Sequence, residues 1–210
     1  MSKIYLLGGE NIALRDGLKV NRSAFNAAGE SPNILVFSWA RASFDKAYER
    51  RKMIFDYFRS LGASTVNLVD YSDNLEEINR KLAESNLVYL TGGIPSVLIE
   101  RLKNMGVDDL LRRYGGVIVG RSAGALVLCR KCVISYRSNS AIKVLQGLGL
   151  VNLTLKAHYK PENDNELLLL SKEEKVYAVP KGSALVYDNG ALSFINNVYL
   201  FENGERRTLG

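Results

Sequence analysis

The segment VIVGRSAGALVL, residues 117–128, sets a small polar knot between two apolar runs. The first run is short and β-branched, as a buried strand is; the second mixes Ala, Leu and Val. Between them Gly120, Ser122 and Gly124 form G-x-S-x-G, the pattern of a nucleophile elbow when a strand precedes it and a helix follows. Glycine on both flanks lets the backbone turn sharply and pack closely, which leaves the Ser122 hydroxyl exposed. The N–H of Ala123 then falls at a helix amino terminus, aimed where an oxyanion would develop. The competing reading is a tight packing turn in which Ser122 merely caps the helix.

The segment LVYLTGGIPSVLIERL, residues 87–102, repeats the arrangement. A buried strand over Leu87–Thr91 ends in Gly92-Gly93, and Pro95 suits the first turn of a helix over Ser96–Lys103. Strands are also predicted over Lys3–Leu7, Asn33–Ser38, Thr65–Val69 and Gly116–Val119, with helices over Asp16–Ala28, Leu75–Glu84 and Asp108–Arg113. A further helix has Ser43 as N-cap, Phe44, Ala47, Tyr48, Phe55, Phe58 and Leu61 on one face, and Gly62 as its stop. Strands alternating with helices over the first ~120 residues predict an α/β fold with a doubly wound, mostly parallel sheet. Beyond them Val176–Val179, Ala184–Tyr187, Ala191–Ile195 and Val198–Phe201 are short runs, and Asp188-Asn189-Gly190 is a hairpin signal. The C-terminal quarter therefore reads as an antiparallel meander continuing the sheet. No linker, repeat or low-complexity stretch divides the chain, and residues 1–210 read as a single α/β domain.

Composition narrows the function. Hydrophobic residues make up 47% and charged ones 24%, which is ordinary globular usage. No stretch approaches the ~20 apolar residues of a membrane span. The start, MSKIYLLGGENI, is too short in its apolar run for a signal peptide and lacks a cleavage site. The expectation is a cytoplasmic protein with no membrane partner. The formal charge is +6, but Lys and Arg are interspersed with acids, as in Lys172-Glu173-Glu174-Lys175. Without a basic run interleaved with aromatics, no nucleic-acid partner is expected. Cys129 and Cys132 form C-R-K-C, yet a zinc site needs about four ligands, and the chain has one His and two Cys. A redox C-x-x-C opens a helix, whereas this pair sits where one should end. Both are read as small buried hydrophobes, and no metal or other cofactor is expected.

A serine nucleophile needs a base. The single histidine is His158, in LTLKAHYKPEND, where an apolar segment gives way to a polar loop. Between Ser122 and His158 there is no Asp or Glu. That excludes the α/β-hydrolase order of Ser, acid, His, and the position of His158 excludes the protease orders in which His comes first. Ser then His remains, with any acid after His158 or far upstream.

Together these segments resemble the dipeptidase E and cyanophycinase family of serine peptidases. The resemblance covers most of the chain. It rests on the opening strand with its Gly pair, TGGIPSVLIERL, GRSAGA, AHY and AVPKGSALVYDNGALSFI. It implies a flavodoxin-like, class I glutamine-amidotransferase-like α/β fold. It also implies Ser122 as nucleophile, His158 as general base, and an oxyanion hole formed by the N–H groups of Gly93 (or Gly92) and Ala123. The implied reaction is hydrolysis of a small peptide or amide through an acyl-enzyme. Amidotransferase activity itself is disfavoured, because that chemistry uses Cys where this chain has Ser122. Frequent dimerisation in the family makes a homodimer an expectation of the resemblance alone.

The chain departs from the family in the acid that orients the histidine. Members commonly carry Glu where this chain has Pro180-Lys181-Gly182, and others carry Asp in the region that here reads Ser135-Tyr136-Arg137-Ser138-Asn139. A lysine near His158 opposes imidazolium formation. Three readings stay open. Another acid (Glu162, Asp164 or Asp188) takes the role; a Ser-His dyad works with a carbonyl or Asn139 as orienter; or the fold persists with little peptidase activity and binds a small acidic ligand. Family dipeptidases prefer an acidic residue before the scissile bond. Arg121, beside Ser122, is the candidate to read it, since Arg suits a carboxylate; the alternative is a solvent-facing Arg without a role.

Overall fold

Strands β1 (Lys3–Leu7), β2 (Asn33–Phe37), β4 (Leu87–Leu90) and β5 (Val117–Arg121) are apolar almost throughout, because both faces of their sheet are covered. Side chains alternate between the two faces. Ile4, Leu6, Leu35, Phe37, Val88, Leu90 and Ile118 enter one core, and Tyr5, Leu7, Ile34, Val36, Tyr89 and Val119 the other. Helices α1 (Leu18–Ala28) and α2 (Asp45–Ser60) cover the second face. The first is covered by α3 (Leu75–Ala83), α4 (Pro95–Asn104), α5 (Val107–Arg113) and α6 (Ala123–Leu128). With β3 (Thr65–Val69) at one edge, this is the doubly wound α/β arrangement expected from the alternating pattern. The computed structural model describes residues 2–41, 45–135 and 142–210, and the side chains of all of these but 45–50. The expected cap at Ser43, the apolar position Phe44 and Asn139 lie outside the described residues, and the side chains of Ala47 and Tyr48 lie outside the described side chains.

The C-terminal strands divide between two sheets. β10 (Ala184–Asp188) and β11 (Ala191–Ile195) extend the first sheet in antiparallel fashion, giving the order β11-β10-β1-β5-β4-β2-β3. Their hairpin turns on Asn189 (φ 48°) and Gly190 (φ 89°), the pair of positive φ values that a two-residue type I′ turn requires. The rest joins a second, six-stranded sheet. It comprises β6 (Cys129–Ile134), β7 (Lys143–Gln146), β8 (Val151–Ala157), β9 (Val176–Val179), β12 (Val198–Glu202) and β13 (Glu205–Leu209). In it β6, β8 and β9 run parallel while the outer strands are antiparallel. The meander is thus only half a continuation of the first sheet. Between β8 and β9 lies one more helix, α7 (Asp164–Leu170).

Helix α6 lies between the two sheets with all six residues buried, which is why AGALVL has no polar face. Its close docking depends on glycine: a Cβ on Gly124 would lie 2.2 Å from the Leu90 carbonyl oxygen, and one on Gly120 would lie 2.5 Å from that of Gly124. Cys129 and Cys132 follow the helix as buried, free thiols on β6, as expected.

Candidate active site

Ser122 stands at the carboxyl end of β5, where ligands bind in open α/β sheets. Its backbone (φ 53°, ψ −109°) is in a sparsely populated region, of the kind that costs about 1–3 kcal/mol and is tolerated where surroundings enforce it. Part of the enforcement is a hydrogen bond from its N–H to the Leu7 carbonyl, 2.9 Å. Ser122 occupies the N-cap position of α6, yet its side chain makes no capping hydrogen bond. The hydroxyl Oγ instead lies 2.7 Å from Nε2 of His158.

His158 comes from the second sheet, one residue beyond β8, in a left-handed conformation (φ 51°). Its N–H donates to the Gly8 carbonyl at 2.8 Å. The turn after β1 therefore holds both partners, Ser122 through Leu7 and His158 through Gly8. Gly9 backs the imidazole so closely that a Cβ there would sit 2.3 Å from Cε1 and 2.6 Å from Nδ1. This explains the opening Gly pair: Gly8 has no room beside the Pro180 carbonyl, and Gly9 has none beside the ring.

The backbone groups named as an oxyanion hole lie on either side of Ser122. Ala123 is buried as the first residue of α6. Across from it, a Cβ on Gly92 would approach that of Ser122 to 3.2 Å, while Gly93 packs against the Ala40 carbonyl. Arg121 lies with its guanidinium 5.9 Å above the Tyr89 ring. Among the described residues no carboxylate is hydrogen-bonded to it. The nearby acid is Glu10, whose carboxyl is fixed by the Tyr89 hydroxyl and by Asn21 Nδ2 (2.8 Å). Burial pushes the Glu10 pKa up, against the pull of the Tyr89 hydrogen bond and the Arg121 charge.

The electrostatics around His158 are cationic. His158 stays accessible to solvent, but partial desolvation of the imidazole lowers its pKa first, and the charges of Lys156, Lys181, Arg121 and Lys160 lower it further. Lys156 is 4% exposed, and its ammonium donates to Ser135 Oγ and to the Ala157 carbonyl, both at 3.0 Å. Lys181 pairs with Asp16 at 2.8 Å. The carboxylates considered as His orienters are engaged elsewhere. Asp164 accepts from Tyr159 and Arg206, each at 2.6 Å, and Asp188 pairs with Lys3 at 3.1 Å. Glu162 is exposed, and among the described residues no carboxylate hydrogen-bonds the imidazole.

Ser122, His158, Arg121, Ala123 and the Gly92-Gly93 turn are therefore brought together. Lys156 was not singled out from sequence; it stands near the end of β8, two residues before His158. Glu10 gave a weaker signal, as the acid after the Gly pair. Among the described residues no three His, Cys, Asp or Glu side chains gather to hold a metal ion, and no helix is long and apolar enough to cross a membrane. A groove of about 940 Å³, lined by Leu75, Leu82, Leu110 and Tyr114 among others, opens at the amino ends of β4 and β5, opposite Ser122.

A serine on a strained strand-to-helix turn, 2.7 Å from a histidine that follows a strand of a second sheet, places the chain among α/β proteins that pair these two side chains. Within that class the chain belongs to peptidase family S51, whose model matches residues 28–195. It is 30% identical over 108 residues to an uncharacterized peptidase of Listeria monocytogenes, covering 48% of this chain and 53% of that protein. A counterpart from Listeria innocua is 29% identical over 107 residues, 47% of this chain and 51% of that protein. The chain thus spans about half the length of the curated relatives it matches. In fold it is similar to a peptidase from an acI-B1 actinobacterium, with TM-score 0.77, 19% identity, and coverage of 100% of this chain and 94% of that one. It is also similar to a putative peptidase E protein from Listeria monocytogenes, with TM-score 0.69, 21% identity, and coverage of 93% and 98%.

Proposed function

We propose that the protein is a serine-type peptidase acting on small peptides through an acyl-enzyme. The observation that carries this reading is the 2.7 Å contact between Ser122 Oγ and His158 Nε2, made by a hydroxyl that leaves its own helix uncapped. In the proposed reaction Oγ attacks the amide carbonyl while Nε2 takes its proton. The Ala123 N–H and a glycine N–H of the 92–93 turn receive the oxyanion. Nε2 then returns the proton to the leaving amine, and water, activated by the same imidazole, releases the acyl group. His158 must be neutral to act as base. Partial desolvation and the cationic neighbours favour that form.

The same cations disfavour the imidazolium that forms as Oγ attacks, so acyl transfer is slower than with an oriented triad. Arg121, held over Tyr89 beside the nucleophile, supports a preference for substrates with a carboxylate before the scissile bond. The cationic surroundings of His158 favour one second reading: a weakly active or non-catalytic protein that binds a small acidic ligand in this site.

A fluorophosphonate probe separates the two. The expected result is labelling of the native protein that Ser122→Ala abolishes, together with hydrolysis of Asp-X dipeptides. Arg121→Ala should slow the acidic substrates selectively. Absence of both labelling and hydrolysis, with retained binding of an acidic dipeptide by calorimetry, leaves the second reading in place.

A further inference from the structure

We infer that Arg101 is a positioning residue for the glycine turn facing Ser122, an inference that rests on the proposed use of that turn as an oxyanion hole. The turn after β4 is braced by the segment that follows β2. The Ile94 N–H donates to the Ala40 carbonyl at 2.6 Å. The same oxygen occupies the place a Gly93 side chain would take, 2.2 Å from its Cβ position. The direction of the peptide groups at Gly92–Ile94 is therefore set by where Ala40 lies. The Ala40 side chain is a buried methyl with no group that could hydrogen-bond the segment in place. Its neighbours are tied down by Arg101, whose Nη1 donates to the carbonyls of Trp39 (2.7 Å) and Arg41 (2.6 Å) and also meets the Tyr71 hydroxyl.

The guanidinium is itself fixed, 4.7 Å from the Tyr71 ring, and that ring stacks on Trp39. Arg101 lies on α4, the helix that the glycine turn leads into. The brace is thus closed on itself: the turn starts the helix, and the helix reaches back to clamp the segment on which the turn rests. A cation with planar, divergent N–H groups can span two carbonyls; an ammonium on a shorter reach meets one well. Misplacing an oxyanion donor by about 1 Å costs on the order of 10²-fold in rate, with little effect on ground-state binding.

The test uses the full chain and four proteins: wild type, Ser122→Ala, Arg101→Met and Arg101→Lys. Each is assayed for fluorophosphonate labelling rate, for kcat and KM on an Asp-X dipeptide, and for affinity toward a peptide aldehyde, which binds as a tetrahedral adduct. Arg101→Met is expected to lower labelling rate and kcat about 10²-fold, with KM within threefold and aldehyde affinity falling in step with kcat/KM. Arg101→Lys should recover part of the loss. If Arg101→Met does not fold, the Lys variant carries the test, with an expected loss of about tenfold in kcat. Folded Arg101 variants that label at the wild-type rate overturn the inference and leave the peptidase reading intact. Wild-type protein that shows no Ser122-dependent labelling removes both.

Discussion

At His158 the chemistry turns on the sign of the charges around it. A histidine whose pKa is lowered in the folded protein binds its proton at lower pH than the unfolded chain does. Stability that depends on the neutral ring is therefore complete above the ordinary histidine value of about 6.5 and is lost as pH falls through the window below it. In the proposed mechanism activity follows the same group, so the acidic limb of kcat/KM should lie below the ordinary histidine range. Lys181 is an exposed member of the cations responsible, and it stands where the resemblance to the family leads one to expect Glu. Lys181→Glu replaces a charge that lowers the His158 pKa by one that raises it. The expected outcome is an upward shift of the acidic limb and a kcat about tenfold higher, well short of the ~10⁴ lost when a triad acid becomes its amide. Loss of the half-exposed pair with Asp16 should cost no more than about 1 kcal/mol. A pH–rate profile in which the limb stays in place, or moves down, refutes this account of the site.

Helix α6 shows why part of the fold was legible and part was not. Its start at Ala123 followed from the glycines of residues 120–124, and the strands of the first sheet are short apolar segments that announce themselves. Of the second sheet, β9 and β12 were read as strands, but the sheet itself was not, because the parallel pairings of β6, β8 and β9 join segments about twenty residues or more apart in the chain. β13 was hidden for another reason: ERRTL is charged and exposed, and only the Asn203-Gly204 turn before it marks a hairpin. In the site, a motif and a unique histidine were readable as residues. The Arg101 clamp, which depends on three elements meeting, was not. Alanine at an exposed helix position is usually better than glycine by about 1 kcal/mol. At Gly124 the order should reverse, since the added methyl meets the Leu90 carbonyl at 2.2 Å. Gly124→Ala is expected to destabilise by about 1–3 kcal/mol in urea unfolding, with a fall in labelling of Ser122, the N-cap of the same helix end. An unchanged midpoint and unchanged labelling would show that α6 has slack the packing does not suggest.

The proposed nucleophile and its proposed base stand at the ends of strands from different sheets, so the Ser122–His158 contact exists only while both sheets hold their places. One hydrophobic core spans them: Ile4, Leu35 and Ile118 of the first sheet share it with Leu155, Val179 and Leu200 of the second, with α6 between. The molecule carries natural reporters on each side. Trp39, the single tryptophan, is buried in the layer over the first sheet and donates to the Val69 carbonyl. Cys129 and Cys132 lie between α6 and the second sheet, their thiols against the Ala125 and Leu126 carbonyls. Burial pushes the Cys129 thiol well above its ordinary pKa and that of Cys132 up to about 12, so neither should react with iodoacetamide at pH 8 in the native state. In increasing urea the thiols become reactive only as that interface opens. Because the core is continuous, both thiols, the Trp39 emission and Ser122 labelling are expected to change in one coincident transition. Thiol modification that precedes the Trp39 transition would mean that the second sheet opens by itself. His158 would then leave Ser122 while β5 and its elbow remained folded, and activity would be lost at the lower urea concentration, with the thiols.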